Sequence, residues 1–573
     1  MEGIRSFFKK QRFWHGLLIC SIFFILTAIA TYPLVFHFSS HLPGFMDDEI
    51  INSWILWWVR YAVTILKVNP FFTTYQFFPH YIDISGDISV LYGAVSIVTA
   101  KCINYIAVYN LRVFASFIIT GLTMYWWLYR ITKKNKIAAL TGSIVFTFSF
   151  FRLVRALTGH VDLASTEWYG LLLIFLTTAA TQKKISPSTI VIGTIGSILM
   201  CYTDYRNTLL LVLYALIFSI TYLLIAVFRK ISLSQIRIYV VTVLVTLGIS
   251  GLMCSPIILM QAQKIPLVKS NLKDGKGATI QSFVIRTQRN PYHLTQGDSD
   301  SIPVRISGSE ITYLGIIACV ACLISFFVLW KRRNLVDYII FITTAICVLF
   351  VIGAWNYLYY ILYPISIFQP FRAADRFIIL VEIGIAYFVA RGSMEVCRSF
   401  GETKRNWYVG GSIVVAMLLF FDSSIMPVRL IDVSPSPILE RMNSTSGTVL
   451  EIPFGFHDVH HCMGVCNRDI SFIHQVFYKR PIVGGYMSFI DDSIWTELKK
   501  DNAIHKLLYC QQYNVCIAMT EKEMLRLLTF YNIGTVVINK GYFNSAIHEY
   551  VKNQFALEKI AEDTDLIFYT ILD

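Results

Sequence analysis

Three consecutive carboxylates, Asp47, Asp48 and Glu49, lie in the stretch Gly44-Phe45-Met46-Asp47-Asp48-Glu49-Ile50-Ile51-Asn52-Ser53-Trp54. One apolar run precedes them and another follows. Carboxylates are costly near lipid and are retained there mostly where they have a role. At a membrane boundary such a group can act as a general base. It can also hold a divalent cation, Mg or Mn, through oxygen ligands, with Asp47 and Asp48 as the donors. A structural role competes with both: Asp48 can cap a helix that starts near Ile50. One residue can serve as cap and as base.

Further polar groups stand at helix ends. Gly159-His160-Val161-Asp162, followed by Glu167-Trp168, offers a histidine able to carry a proton or meet a phosphate. Taken alone it reads as a polar loop. Asp204-Tyr205-Arg206 reads first as a structural acid–base pair. Arg372 and Arg376 are four apart and share a face if helical. Two guanidiniums at a lipid boundary suit a phosphate or pyrophosphate; lipid headgroups, or pairing with Asp375, would satisfy them equally. His457-Asp458-Val459-His460-His461-Cys462-Met463-Gly464-Val465-Cys466 contains metal-ligand residue types but no closed zinc spacing. Disulfides or free thiols are the better expectation for Cys462, Cys466, Cys510 and Cys516. No Walker or Rossmann glycine loop is present, so an ATP-driven pump has no support.

The elements that must position these groups are membrane helices. The chain has 573 residues, 55% of them hydrophobic and only 15% charged, with mean hydropathy +0.58. Soluble proteins carry about 25% charge, so a polytopic membrane protein is expected. The net charge of +13 is dispersed in ones to threes. That pattern fits cytoplasmic loops and forms no basic stripe for nucleic acid.

The first apolar run, from about Phe13 to Phe36, is too long for a signal-peptide core and reads as an anchor. Arg5, Lys9, Lys10 and Arg12 before it put the N-terminus in the cytoplasm. Ten more runs begin near Leu111, Ile137, Leu163, Ser188, Thr208, Ile238, Ile311, Val336, Phe377 and Tyr408, making about eleven spans. Alternate loops are short and basic. The other set, extracytoplasmic by this rule, holds Asp47, Asp48, Glu49, His160, Asp162, Asp204, Arg206, Arg372 and Arg376. Arg152 and Arg155 break the pattern, and their acidic neighbours suggest pairing. Few charges fall mid-span apart from Glu382.

Within the first outer loop, Trp54, Trp57, Trp58 and Tyr61 share a helical face. The segment from Ile50 to Leu66 is therefore expected to lie in the membrane–water boundary, and the one from Ile88 to Val108 likewise. If both cross instead, the count becomes thirteen and downstream sidedness is unchanged. The expected domains are a transmembrane module over 1–428 and a soluble extracytoplasmic α/β domain over 429–573. The module carries outer loops at 37–108 and 261–309. Short apolar runs such as Thr448–Ile452 and Thr535–Ile538 read as buried strands of the soluble domain.

Taken in order, these features resemble the GT-C superfamily of membrane glycosyltransferases, in particular its poorly characterised bacterial branch. The resemblance rests on Tyr32-Pro33-Leu34 before the acidic loop, Asp48 six residues before Trp54 with Asn52 between, and Phe77-Phe78-Pro79. It continues through Gly159-His160, Phe371-Arg372 and Arg376-Phe377. In the outer domain it covers Glu451-Ile452-Pro453, His474-Gln475 and Pro481-Ile482-Val483-Gly484-Gly485-Tyr486.

The resemblance implies transfer of a sugar from a polyprenyl-phosphate carrier in the cell membrane to a glycan, lipid or protein acceptor outside. Asp48 would be the base or metal ligand, with Asp47 or Glu49 assisting. Arg372 or Arg376 would hold the donor phosphate. Asn52, Trp54, His160, Asp162, Asp204 and Arg206 would line the pocket. The family shows separated aspartates where this chain has three contiguous acids. Two other classes compete. A transporter or flippase would need polar groups deep in the spans and inverted repeats. An envelope-assembly protein would use its outer domain to bind a partner.

Overall fold

The computed structural model describes residues 2–45, 48–263, 278, 280–285, 311–329, 334–352, 374–400, 405–434, 438–439, 445–458, 460–465, 470–542 and 545–572. Asp47, Arg372, Cys466 and most of the 261–309 loop lie outside these. The chain divides into two compact units. The first comprises Met1–Phe36, Leu111–Ile265 and Ser270–Arg429; the second is made chiefly of His37–Asn110 and Leu430–Asp573. The first outer loop thus clusters with the C-terminal segment.

In the helical unit, a helix forms at each of the eleven apolar stretches, from Glu2–Ala30 to Arg405–Ser423. Among the described residues seven helices are long and apolar enough to cross a membrane, or eight if one bent pair is a single span. Pro187–Thr203 and Ile316–Leu329 are shorter apolar helices. Tyr169–Ala179 has 11 residues, too few to span a hydrocarbon core at 1.5 Å per residue. Large apolar side chains such as Leu224, Phe228, Leu252 and Phe327 point outward, as a lipid-facing surface requires and a water-facing one does not tolerate. The chain is a multi-pass helical membrane protein.

The bent pair is Lys136–Thr147 with Phe150–Leu157, at 47°. Arg152 does not lie in an outer loop, as the hydropathy pattern suggested. It sits in the second of these helices and is fully buried. Its guanidinium donates to the carbonyls of Thr147, Ser116 and Ala164 and to the hydroxyls of Ser116 and Thr120. A buried charge is tolerable only when so satisfied, and among its partners are the terminal carbonyls of the Lys136–Thr147 and Val161–Ala164 helices, which lack helical donors. Charge inside the unit also exceeds the expectation of Glu382 alone. Glu382 accepts from the Ser149 hydroxyl at 2.7 Å. Buried Asp337 accepts from Arg391 through two nitrogens, at 3.0 and 3.0 Å, and from the Tyr387 hydroxyl at 2.7 Å.

The second unit, called the outer unit after the side the charge pattern predicts for it, contains all the described strands: β1 (His41–Pro43), β2 (Phe72–Thr73), β3 (Ile82–Asp83), β4 (Leu430–Asp432), β5 (Thr448–Ile452), β6 (Gly455–His457), β7 (Cys462–Gly464), β8 (Gly485–Tyr486), β9 (Ile533–Asn539), β10 (Leu557–Glu562) and β11 (Leu566–Ile571). Its main sheet has the order β10-β11-β9-β5. β5 runs parallel to β9 and the other pairs are antiparallel. β5 is buried along its whole length, so Val449, Leu450 and Ile452 can be apolar on both faces and Glu451 needs a buried partner. A second sheet has the order β7-β6-β8.

The first outer loop is built into this unit. β1 pairs with β4, His41 opposite Asp432. Backbone bonds run from Phe77 N–H to the Gly484 carbonyl (3.0 Å), from Phe78 N–H to Ile482 (3.1 Å) and from Ile482 N–H back to Tyr75 (2.9 Å). The Asp48–Tyr61 helix starts with Asp48 and Glu49 in its first turn.

The aromatic face of that helix, expected at the membrane boundary, is instead core of this unit. Trp54, Trp57 and Trp58 are buried. Trp58 meets Tyr75 at 4.9 Å, and Trp54 meets Phe472 at 6.1 Å on the Ile470–Tyr478 helix. The second loop helix also ends earlier than expected, at Val98, and the following long helix already begins at Tyr105.

Candidate functional site

The acidic turn is shaped from both sides. Gly44 has φ +153°, and a side chain there would strike the Glu49 carboxylate at 2.3 Å. The chain folds back over Glu49, which is completely buried. Asp48 remains half-buried at the start of its helix. The helix dipole there favours a negative charge. The Asn52 amide donates to the Asp48 carbonyl at 2.9 Å, which orients Asn52 along the helix surface. The Tyr486 hydroxyl, on β8 of the C-terminal segment, donates to Asp48 Oδ1 at 3.4 Å. Tyr486 is held in turn. Its ring stacks on His457 at 4.6 Å, and its N–H donates to Gln76 Oε1 at 3.3 Å.

One turn further along the helix, the Trp54 indole N–H donates to Gln475 Oε1 at 2.7 Å. The same Gln475 amide donates to the Tyr75 and Arg480 carbonyls. Next to it, His474 Nδ1 lies 2.6 Å from Glu451 Oε1 in a buried pair, and the Tyr478 hydroxyl reaches the other Glu451 oxygen at 3.4 Å. Phe77-Phe78, Glu451, His474-Gln475 and Ile482–Tyr486, four separate parts of the sequence pattern, are therefore contact partners in this unit. The histidine-rich stretch is structural at its centre. Asp458 accepts from the N–H groups of His460 and His461, both at 2.6 Å, and from the Trp495 indole at 2.7 Å.

In the helical unit, His160 precedes the short Val161–Ala164 helix and is half-buried. That turn is clamped to the junction between Pro187–Thr203 and Tyr205–Phe228. Arg206 pairs with Asp162, the Asn207 amide donates to the Asp162 carbonyl at 2.6 Å, and the Trp168 indole donates to Thr203 Oγ1 at 3.0 Å. Asp204 caps the second helix by accepting from Asn207 N–H at 2.7 Å. Burial, and then the Asp162 carboxylate beside it, push the Asp204 carboxyl up to about 6. Arg206, the cap bond and Arg112 pull the other way. His160, Asp162, Asp204 and Arg206 thus belong to one neighbourhood built by chain segments 160–162 and 203–207.

Arg376 lies on the Ala374–Phe377 turn, half-buried, beside fully buried Asp375. Asp375 accepts from Arg155 at 2.8 Å. The pairing expected for Arg152 and Arg155 holds for Arg155, while Arg152 bonds to carbonyls and hydroxyls instead. Arg372, the other phosphate candidate, is outside the described residues.

Among the described residues no group of three or more His, Cys, Asp or Glu side chains is arranged to hold a metal ion. Cys510 is bonded to Cys516, and Cys462 is also in a disulfide. Sequence reasoning missed Gln475 and Tyr486 as site groups. Both lie inside motifs it had marked, so the signal was present without a role. Gln76 and Tyr75 had no such signal.

No protein-family model matches the chain, and no curated protein does. Among solved structures it is similar to the Archaeoglobus fulgidus oligosaccharyltransferase AglB in complex with an inhibitory peptide and a dolichol-phosphate. That match has 10% identity over 98% of this chain and 74% of the other, at TM-score 0.45. The apo form of the Archaeoglobus fulgidus oligosaccharyltransferase gives 10% identity over 97% and 74%, at TM-score 0.47. ArnT from Cupriavidus metallidurans bound to undecaprenyl phosphate gives 8% identity over 97% of each chain, at TM-score 0.41.

Proposed function

We propose that this chain is a membrane glycosyltransferase that moves a sugar from a polyprenyl-phosphate donor to an extracytoplasmic acceptor, with Asp48 as general base. The observation that carries this reading is the setting of Asp48. It opens a helix whose N-terminal dipole favours the ionised form. A phenol donates to its carboxylate, and the adjacent Glu49 is buried beneath Gly44. Of the two described acids in this turn, Asp48 is the one placed to meet an acceptor hydroxyl. In the proposed reaction its carboxylate takes the acceptor proton as that oxygen attacks the anomeric carbon, and the lipid phosphate leaves with the bonding pair. Arg376 would hold that phosphate, and His160 and Asn52 would line the pocket; Trp54, also expected there, is instead packed in the core of the outer unit. The alternative to this base role is a divalent cation that Asp47 and Asp48 would hold and that would polarise the acceptor hydroxyl. The disulfide Cys510–Cys516 supports an extracytoplasmic, oxidising location for the outer unit.

Positioned general bases contribute about 10²–10⁴-fold to rate. Asp48→Asn, purified in nanodiscs with radiolabelled polyprenyl-phosphate sugars, should lose about that factor in transfer while still binding donor. Arg376→Gln should weaken donor binding. Unchanged transfer in Asp48→Asn would remove the base assignment.

A further inference from the structure

The outer unit carries a cleft of about 680 Å³ between β7 and the Asn502–Tyr513 helix, apart from the acidic turn. The volume is in the range of small-molecule sites, about 300–1,000 Å³. The helix divides its residues sharply. Ala503, Ile504, Leu507, Leu508 and Cys510 are buried in the domain. Asn502, His505, Tyr509, Gln512 and Tyr513 recur at helical spacing on the opposite face, and all are exposed. A helix face turned to bulk water ordinarily carries charge. This one carries two amides, an imidazole, two phenols and a single lysine, Lys506, whose charge is paired with Glu523.

Two aromatic rings line the cleft side by side. Tyr509 and Tyr513 are one turn apart, with ring centroids 4.8 Å apart and planes inclined by 46°. They are 44% and 56% exposed. The cleft walls are tied down around them. Cys510 and Cys516 are covalently joined, fixing the chain just beyond the tyrosines. The Lys506 ammonium donates to the Ala518 carbonyl at 2.9 Å and to Glu523 at 2.7 Å. Glu523 also closes the Thr520 capping box. Across the cleft, Gly464, with φ +90°, lets β7 settle directly on Leu508, where a side chain would strike at 2.6 Å. A site so braced loses little entropy when a ligand enters.

The chemistry selects among ligands. Lys506 and Glu523 neutralise each other, so the lining offers no net charge to an anion or a cation. Aromatic faces are electron-rich and attract the polarised C–H face of a pyranose ring. Asn502 and Gln512 each present a donor and an acceptor, as vicinal hydroxyls require. We infer that this cleft binds a neutral saccharide and serves as a docking site for the acceptor glycan, a role that rests on the transferase reading above.

The test uses the full-length protein in nanodiscs and three trisaccharide probes, chitotriose, cellotriose and mannotriose, followed by saturation-transfer NMR and calorimetry. At least one probe should bind. Tyr513→Ala should weaken that binding by about tenfold, the equivalent of one good aromatic contact. Tyr513→Phe, which keeps the ring, should stay within about twofold. Because Tyr513 is exposed, neither variant should change the melting temperature. Asp48→Asn should bind the probe normally, so loss of turnover and loss of docking are read separately. Binding by none of the probes, binding indifferent to Tyr513→Ala, or a proline-rich decapeptide occupying the tyrosines in place of the sugars would each overturn the inference.

Discussion

In the helical unit three carboxylates meet guanidiniums: Asp337 meets Arg391, Asp375 meets Arg155 and Asp162 meets Arg206, while Glu382 and Asp204 meet a hydroxyl and a backbone N–H. In the outer unit three carboxylates around the acidic turn and the histidine-rich stretch meet milder partners. Glu451 meets an imidazole and a phenol, Asp458 an indole and backbone N–H groups, and Asp48 a phenol. Asp501, Glu523 and Glu562, paired with Arg526, Lys506 and Lys540 nearer the surface, are exceptions. The difference follows from what each environment penalises. A lipid-surrounded bundle has no water to solvate a charge, so each one needs an opposite charge or several dipoles. An outer domain can leave a carboxylate to neutral donors, which orient it without cancelling its charge. Residues of the first kind hold the bundle together; those of the second kind can be adjusted for chemistry.

The sharpest way to break this comparison is to remove one member of a bundle pair. Arg391→Met leaves Asp337 buried with only the Tyr387 hydroxyl and the Asn334 N–H among its bonded donors. Stranding a buried charge costs about 3–5 kcal/mol, so the variant should melt far below the wild type in nanodiscs or fail to accumulate. Arg391→Met with Asp337→Leu should recover much of that loss. A single variant that melts normally would mean that the pair contributes nothing to the bundle.

Asp204 gives a smaller, pH-dependent effect. Its carboxyl is raised to about 6, first by burial and then by Asp162. The ordinary aspartate value is about 3.9. The folded state therefore holds a proton that the unfolded state has already released between about pH 4 and pH 6. This contribution to stability is complete below about pH 4 and is lost as pH rises through 6. At about 1.4 kcal/mol per unit, the change is about 3 kcal/mol. Asp204→Asn keeps an oxygen for the helix cap and should flatten that part of the curve of melting temperature against pH. A curve identical to wild type would show that other groups set it.

How much of this could be read without the structure depends on how local each signal is. The helices over 105–131 or 378–400 come from runs of apolar residues and need no distant information. The aromatic face of Trp54, Trp57 and Trp58 is equally visible, yet the same amphipathic pattern serves a lipid boundary or a protein core. Only the Ile470–Tyr478 helix, some 420 residues away, decides which. Arg152 was misassigned because a guanidinium near a helix end looks like a loop charge until the bend is seen to aim it inward. The motifs around Glu451, His474 and Ile482–Tyr486 were noticed separately. Their common purpose is a contact network that no spacing along the chain encodes.

Gln475 tests that network. Its amide joins the Trp54 indole to the Tyr75 and Arg480 carbonyls. Gln475→Ala leaves the buried Trp54 indole N–H unsatisfied, at about 1–3 kcal/mol for a group left without a bond, while the Tyr75 carbonyl keeps the Ile482 N–H. Hydrogen exchange should rise across 54–78 and 475–486, and slow turnover should accompany a loosened acidic turn. Protection unchanged in both segments would mean that the loop is held by its backbone pairing alone.

Tyr486→Phe is the mildest change and the most specific. It removes one hydroxyl and leaves the ring that stacks on His457. Stability should fall by no more than about 1 kcal/mol, the usual worth of a single hydrogen bond. The consequence lies in the chemistry. A donor to a carboxylate favours its ionised form, so without the phenol Asp48 should take up a proton more readily. If Asp48 is the base, the acid limb of the transfer rate against pH should move to higher pH in Tyr486→Phe, with the rate on the plateau changed only a few-fold. The move should vanish on an Asp48→Asn background, because the group that titrates is gone. A pH profile identical to wild type would separate Tyr486 from the reaction and leave it as a wedge between the loop and β6. A shift that persists without Asp48 would assign the limb to another acid.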